Sequence, residues 1–126
     1  MPRSVLIVDD SELVRRGMRN FFEQLPDWRI VGEAASGIKA IEIASELKPD
    51  LILLDFSMPG LNGIETASLL RETLPHAYIA VFTVHDTSVS SRLSSPAGVD
   101  LVLPKTDGWS SLTKALVGFD RHLRAS

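Results

Sequence analysis

The sequence predicts an α/β fold in which helices cover both faces of one parallel sheet, a doubly wound arrangement. Four short apolar runs are continuous rather than alternating, which is typical of strands buried on both faces; they are VLIV at 5–8, LILL at 51–54, IAVF at 79–82 and LVL at 101–103. Segments with helical spacing of apolar residues separate these runs. Strands that alternate with helices favour a parallel sheet with right-handed crossovers.

Two weaker signals predict the edges of the sheet. The segment RIVGEA at 29–34 is more polar than the other runs, as an edge strand would be. Pro104 lacks an N–H and therefore belongs on an edge strand or at a strand end. Together they predict a flavodoxin-like, five-stranded parallel sheet with the order 2-1-3-4-5 in a single domain covering residues 1–126.

Apolar spacing places helices between the strands. Ser11 is a good N-cap for the first helix, and Asn62 precedes the third. Between 86 and 96 five serines make a poor helix that Pro96 would end, so we expect this stretch to be the most mobile. The apolar positions that mark the helices are Val14, Met18, Phe21 and Leu25; Ile38, Ile41 and Leu47; Ile64, Ala67, Leu70 and Leu74; and Trp109, Leu112, Leu116, Phe119 and Leu123.

Composition narrows the class of function. With 126 residues and 44% apolar residues the chain is expected to be one ordinary globular domain. A net charge of -3 argues against direct binding of nucleic acid, which requires an excess of Lys and Arg. There is no Cys, no apolar run near the ~20 residues of a membrane span, and no signal-peptide pattern at the start. We therefore expect a cytoplasmic location and no contact with membranes.

Polar residues follow four of the predicted strands. Asp9 and Asp10 follow the first run, Asp55 the third strand, Thr83 the fourth and Lys105 the fifth. The carboxyl ends of parallel strands lie at one edge of a sheet, where ligands bind at the point at which strand order reverses. Each residue alone has a bland explanation, such as a helix cap, a strand-end hydroxyl or a solvated lysine. Their joint placement predicts a site.

The residue types indicate phosphoryl chemistry. Three neighbouring carboxylates repel each other, and a hard divalent cation such as Mg²⁺ relieves this repulsion through oxygen ligands. A carboxylate can also act as a nucleophile and form an aspartyl-phosphate. Phosphoryl transfer depends on positioning and charge neutralisation, to which Lys105 and the hydroxyl of Thr83 would contribute.

At this point the sequence resembles a known family. The segments VLIVDDS, PDLILLDFSMPGLNGIE, AVFTVHD and LPKTD resemble the signature segments of response regulator receiver domains of bacterial two-component systems, in order and over nearly the whole chain. VGEAASGIKAIE at 31–42 is similar to receivers that precede a helix-turn-helix output domain. Whether the chain is a stand-alone receiver or part of a longer transcription regulator is left open.

The resemblance implies a role for each site residue. Asp55 would be the phosphoacceptor, and Thr83 and Lys105 would contact the phosphoryl group. Mg²⁺, for which Mn²⁺ can substitute, would be held by Asp10 directly, by Asp9 through water, by Asp55 and by the backbone carbonyl of Ser57. Pro59 and Gly60 would shape the following turn, and Gly63 would allow a close entry into the third helix. A sensor histidine kinase or a small phosphodonor would supply the phosphoryl group, the only enzymatic chemistry would be self-phosphorylation and autodephosphorylation, and a homodimer is left open.

The sequence departs from the family pattern in three places. Val84 follows Thr83 where a smaller residue is usual, and Pro104 precedes Lys105 where proline more often follows. Leu101 and Val102 replace a glycine and an aromatic residue, so the aromatic ring that carries the switch is missing. We therefore predict that phosphorylation moves residues 83–85 but changes the surface of 88–103 little. Backbone shifts alone would be the alternative route.

Three other interpretations compete with this one. A metal-dependent phosphohydrolase would need a second Asp as general acid two residues after Asp55, where Ser57 stands. A flavin or nucleotide binder would need a Gly-rich phosphate loop where Asp9 and Asp10 lie. A degenerate receiver acting only as an interaction or dimerisation module is favoured by the missing aromatic residue and opposed by the intact acidic cluster.

Overall fold

The computed structural model describes residues 2–83, 98–105 and 109–125. Within them, five parallel strands form one sheet in the order β2-β1-β3-β4-β5, which confirms the predicted topology. The strands are β1 (Arg3–Val8), β2 (Trp28–Ala34), β3 (Leu51–Asp55), β4 (Tyr78–Thr83) and β5 (Leu101–Pro104).

Burial along the strands follows their place in the sheet. Every residue of β3 and β4 is buried, because both strands have neighbours at each side and helices on each face. The edge strand β2 is mostly half-buried, as its polar sequence predicts. Pro104 ends the other edge strand, β5, where its missing N–H costs no central ladder bond.

The described residues contain four helices. Ser11 caps the first through the N–H of Val14, and Asn62 forms a capping box with Glu65 at the start of the third. The bounds are α1 (Glu12–Glu23), α2 (Gly37–Leu47), α3 (Gly63–Thr73) and α4 (Trp109–Ala125). The predictions for residues 86–96 fall outside the described residues. Nowhere in the described ranges does a helix combine the length and apolar character needed to cross a membrane.

The helices build one apolar layer on each face of the sheet. On one face α1 and α4 bury side chains that include Phe22, Leu112 and Phe119. On the other face α2 and α3 pack with small residues, Ala40, Ala44 and Ala67, together with Leu70. The sheet is therefore covered on both sides, which is what the continuous apolar runs predict.

Two apolar residues that mark α2 in the sequence point away from the core. Ile38 is 62% exposed and Leu47 is 47% exposed, whereas Ala40 and Ala44 are fully buried. The small alanines let α2 approach the sheet closely; a Cβ added to Gly32 in β2 would lie 2.9 Å from Cγ2 of Ile43. The helix was predicted correctly, but its apolar residues alone do not identify the face that packs.

This arrangement predicts different outcomes for two substitutions in α2. Ile38→Ser should change the free energy of unfolding by less than about 0.5 kcal/mol, because Ile38 is largely exposed and the two residues have similar helix propensities. Ala40→Leu should destabilise by roughly 1–3 kcal/mol, because it forces extra methylenes into a filled layer. Urea unfolding of both variants tests the assignment, and a larger loss in Ile38→Ser would contradict it.

The chain has one tyrosine, Tyr78, and its pKa is raised by burial and secondarily by the charge of Asp100. The folded state therefore retains the phenol proton to higher pH than the unfolded state. Below about pH 9 both states are neutral there, and stability should fall as pH rises through the unfolded pKa of about 10. Absorbance of the tyrosinate reports this residue directly. A tyrosinate titration in the native protein that coincides with that of the urea-unfolded chain would contradict the prediction.

Candidate functional site

The predicted polar residues converge at the carboxyl edge of the sheet. Asp9 and Asp10 follow β1, Asp55 ends β3, and Thr83 ends β4 one position beyond Phe82, the register partner of Asp55. Lys105 directly follows β5. Asp9 and Asp55 are 1% and 5% exposed, and Thr83 is also buried, whereas Asp10 is exposed.

Lys105 bridges the two buried carboxylates. Its Nζ lies 3.0 Å from Oδ2 of Asp9 and 3.2 Å from Oδ1 of Asp55, so one ammonium group joins the ends of three strands. The carboxylates are also held locally: the N–H of Ser11 donates to Asp9 at 2.8 Å, and the N–H of Ser57 donates to Asp55 at 3.3 Å. Each carboxylate therefore has a local hydrogen bond in addition to its contact with Lys105.

The charges of the cluster perturb its proton affinities. Burial raises the pKa of Asp55, the nearby charge of Asp9 raises it further, and Lys105 opposes both. Burial disfavours the ammonium of Lys105, but the hydrogen bonds and charges of Asp9 and Asp55 outweigh this and raise its pKa. The cluster therefore combines a cation that stays charged with a carboxylate whose negative charge is costly.

Asp9, Asp10 and Asp55 meet the basic requirement for a metal site. Each offers an oxygen, and these oxygens all lie within 4.8 Å of one another. Three negative charges face one ammonium, and oxygen donors of this kind suit a hard divalent cation. The donor set thus fits a metal ion. Ser57 is exposed and adjoins the cluster through its N–H bond to Asp55.

The turn after Asp55 depends on two glycines. Gly60 has a φ of 79°, a conformation that L side chains rarely adopt. A Cβ on Gly63 would lie 2.8 Å from Cα of Phe56 and 2.9 Å from the carbonyl oxygen of Asp55. Gly63 therefore lets α3 begin against the backbone that carries Asp55.

The sequence matches the response regulator receiver domain family over residues 5–117. The chain belongs to this family. It is a signalling domain with the five-stranded fold and strand order that the sequence predicts.

Relatives and solved structures agree with this assignment. The chain is 42% identical over 117 residues to the nitrate/nitrite response regulator protein NarL of Escherichia coli K12, covering 91% of this chain and 53% of the relative. It is 40% identical over 118 residues to the response regulator protein VraR of Staphylococcus saprophyticus, covering 92% and 56%. The chain spans about half the length of the curated relatives it matches. A LuxR-family two-component response regulator from Aurantimonas is 30% identical with a TM-score of 0.84, covering 92% of this receiver and 83% of that chain.

Sequence reasoning missed two residues that support the receiver site. A guanidinium nitrogen of Arg15 donates to the main-chain carbonyl of Asp9, and its Nε lies 3.4 Å from Glu33 in β2. Arg19 also binds Glu33, through two bonds of 2.7 and 3.0 Å. Through Arg15, the backbone at Asp9 is therefore connected to both α1 and β2. An arginine on a helix normally indicates a solvated charge, so the sequence carried no signal for this contact.

The departures from the receiver pattern have defined places in β5. Val102 is half-buried, faces the layer formed by α2 and α3, and lies in register with Val81. Leu101 packs instead with the layer formed by α1 and α4. Val84 lies outside the described residues. Leu101 and Val102 therefore fill space on opposite faces of the sheet edge.

Proposed function

We propose that this receiver is the phosphoacceptor of a two-component system and that Asp55 carries the phosphoryl group. A carboxylate oxygen of Asp55 attacks phosphorus, and the bond to the donor breaks with its electron pair on the leaving group. The donor is a phosphohistidine of a sensor histidine kinase or a small acyl phosphate. The main support is the bridge that Lys105 makes between Asp9 and Asp55, because it places positive charge beside the proposed nucleophile.

The other site residues have complementary roles in the proposal. Lys105 neutralises a phosphoryl oxygen, and the hydroxyl of Thr83, at the end of the neighbouring strand, donates to another. Asp10, Asp55, the backbone carbonyl of Ser57 and, through water, Asp9 would hold Mg²⁺ or Mn²⁺. The bound cation supplies positive charge that lets an anionic donor approach an acidic cluster. Attack of water on the phosphorus of the aspartyl-phosphate returns Asp55 to its free state.

Mass spectrometry tests the proposal directly. The intact chain, incubated with acetyl phosphate and Mg²⁺, should gain the mass of one phosphoryl group. The same incubation with a chelator should give no gain, because the carboxylates would then repel the donor. Labelling that is independent of the cation, or no labelling at all with Mg²⁺ or Mn²⁺ present, would refute the proposal.

Mg²⁺ should also stabilise the fold, because it binds the native state and relieves a repulsion that the unfolded chain does not experience. At 100 times Kd the gain is about 2.7 kcal/mol. Asp10→Asn should shrink this gain and raise the metal-free melting temperature, since it removes both a ligand and a like charge. Asp27→Asn, the same change at an exposed site, is the control and should respond to Mg²⁺ as the parent does. A parent melting temperature that ignores Mg²⁺ would contradict the prediction.

The relatives support a proposal for the output of the receiver. We infer that the receiver acts in the cytoplasm and regulates transcription through a further part of a longer chain, as a response regulator of the NarL and VraR kind. DNA contacts then belong to that further part, and a homodimer of receivers remains a proposal.

Because Val102 is too small and stiff to act as a moving ring, we expect beryllofluoride to shift backbone amides near 55–60 more than those of 88–103. Equal or larger shifts across 88–103 would contradict this.

A further inference from the structure

A second charged centre lies at the opposite end of β5 from Lys105. The guanidinium of Arg71, in the last turn of α3, makes five hydrogen bonds. Nε and Nη2 donate to the carbonyl of Gly98 at 3.2 and 2.8 Å. Nη1 donates to the carbonyls of Pro75 and Ala77 at 3.0 and 2.7 Å, and Nη2 also binds Oδ2 of Asp100.

Asp100 connects this centre to the first rung of the β4–β5 ladder. Its backbone N–H donates to the carbonyl of Ile79 at 2.8 Å, and its carboxylate accepts from the N–H of Ile79, also at 2.8 Å. Both hydrogen-bonding groups of one β4 residue are therefore held by Asp100. Arg71 holds the same carboxylate oxygen from the helix side, so α3, β4 and the start of β5 are joined at one point.

β5 needs such a constraint more than any other strand. It has four residues, pairs only with β4, and ends in Pro104, which can donate no ladder bond. Lys105 follows immediately, about 16 Å from Asp100 at the usual rise per residue. Slippage by one residue would turn every side chain of β5 to the other face of the sheet.

We propose that Arg71 is a positioning residue for Lys105: by binding Gly98 and Asp100 it sets the register of β5 and so the place of the ammonium at the phosphoryl site. The inference rests on the proposed function, because it concerns the contact of Lys105 with a phosphoryl group. Arginine suits the task because its planar guanidinium holds five N–H donors in a fixed geometry, whereas a lysine carries its three donors on a flexible stem. Gly98 fits closely against it: a Cβ there would lie 2.9 Å from Cβ of Arg71.

The test compares Arg71→Met, Lys105→Met and the double variant with the parent. Arg124→Met is the matched control, because Arg124 is exposed and forms a surface ion pair with Asp120, four residues earlier on α4. Calorimetry measures the Kd for Mg²⁺ alone and then for beryllofluoride with Mg²⁺ saturating, at a temperature where melting curves show every variant folded. Lys105 is no metal ligand in the proposal but competes with a cation for Asp9 and Asp55, so misplacing it should weaken only beryllofluoride binding, whereas general damage to the site should weaken the binding of both.

Arg71→Met should weaken beryllofluoride binding by about tenfold, as displacement of one charged hydrogen-bonding partner does, and should not raise the Kd for Mg²⁺. In the Lys105→Met background the same change should add nothing, because the group that it misplaces is gone. Asp100→Asn keeps the shape of the side chain and should show the same pattern, which preserves the test if Arg71→Met fails to fold.

Two results would overturn the inference alone. One is Arg71→Met binding beryllofluoride as tightly as Arg124→Met does while Lys105→Met is weakened. The other is an equal loss from Arg71→Met with and without Lys105. If Lys105→Met itself binds like the parent, the proposed function fails and the inference falls with it.

Discussion

Asp55→Asn is expected to abolish phosphorylation of the chain by acetyl phosphate. The amide keeps the size of the carboxylate but lacks its nucleophilic charge, so no acyl phosphate can form at this position. Asp55 ends the fully buried strand β3, and its Oδ1 lies 3.2 Å from Nζ of Lys105. Intact mass after incubation with acetyl phosphate and Mg²⁺ measures the loss, which should be complete at times when the parent is fully labelled.

The control for this variant is Asp27→Asn, which makes the same chemical change at an exposed site and should leave labelling unchanged. Asp55→Asn should also melt at a higher temperature than the metal-free parent, because it removes a buried charge that burial and Asp9 disfavour. A stable protein that does not label therefore distinguishes loss of the nucleophile from loss of the fold. Acid-labile labelling retained in Asp55→Asn would show that another residue is the acceptor.

The continuous apolar runs in the sequence predicted both the sheet and the position of the site. Continuous apolar runs such as residues 51–54 mark strands covered on both faces, and the structure buries every residue of that run. Because the runs are parallel, the polar residues that follow them must meet at one edge. Lys105 and Asp9 are 96 residues apart in sequence (105 − 9) and lie in salt-bridge contact in the fold.

Contacts made by long charged side chains were not predictable in this way. Arg15 donates to the carbonyl of Asp9, and Arg71 donates to three backbone carbonyls. Every residue has a backbone carbonyl, so the residue types do not show which carbonyl an arginine binds. The packed face of α2 was hidden for a related reason. The packed face of this helix consists of alanines, which allow its backbone to approach the sheet closely. The periodicity of large apolar residues instead selects positions such as Ile38, which is exposed.

Gly63→Ala should destabilise the receiver strongly and disturb the site. The added Cβ would lie 2.8 Å from Cα of Phe56 and 2.9 Å from the carbonyl oxygen of Asp55; both are backbone atoms, so no flexible side chain can yield. The N–H of Gly63 also donates to the carbonyl of Phe56 at 2.9 Å, so moving α3 away would lengthen that bond. We expect a loss of about 3 kcal/mol in the free energy of unfolding, at the upper end of overpacking costs.

Gly60→Ala in the same turn is the matched control. Its φ of 79° makes alanine unfavourable by about 1–2 kcal/mol, but nothing lies within 4 Å of the added Cβ, so the backbone that carries Asp55 is not pushed. Gly63→Ala should therefore lose both more stability and more beryllofluoride affinity than Gly60→Ala. The two measurements are urea unfolding and calorimetric titration under conditions where both variants are folded. If Gly60→Ala proves as costly as Gly63→Ala in both, the close approach of α3 to Asp55 is not what the glycine at 63 provides, and the strained turn alone governs this loop.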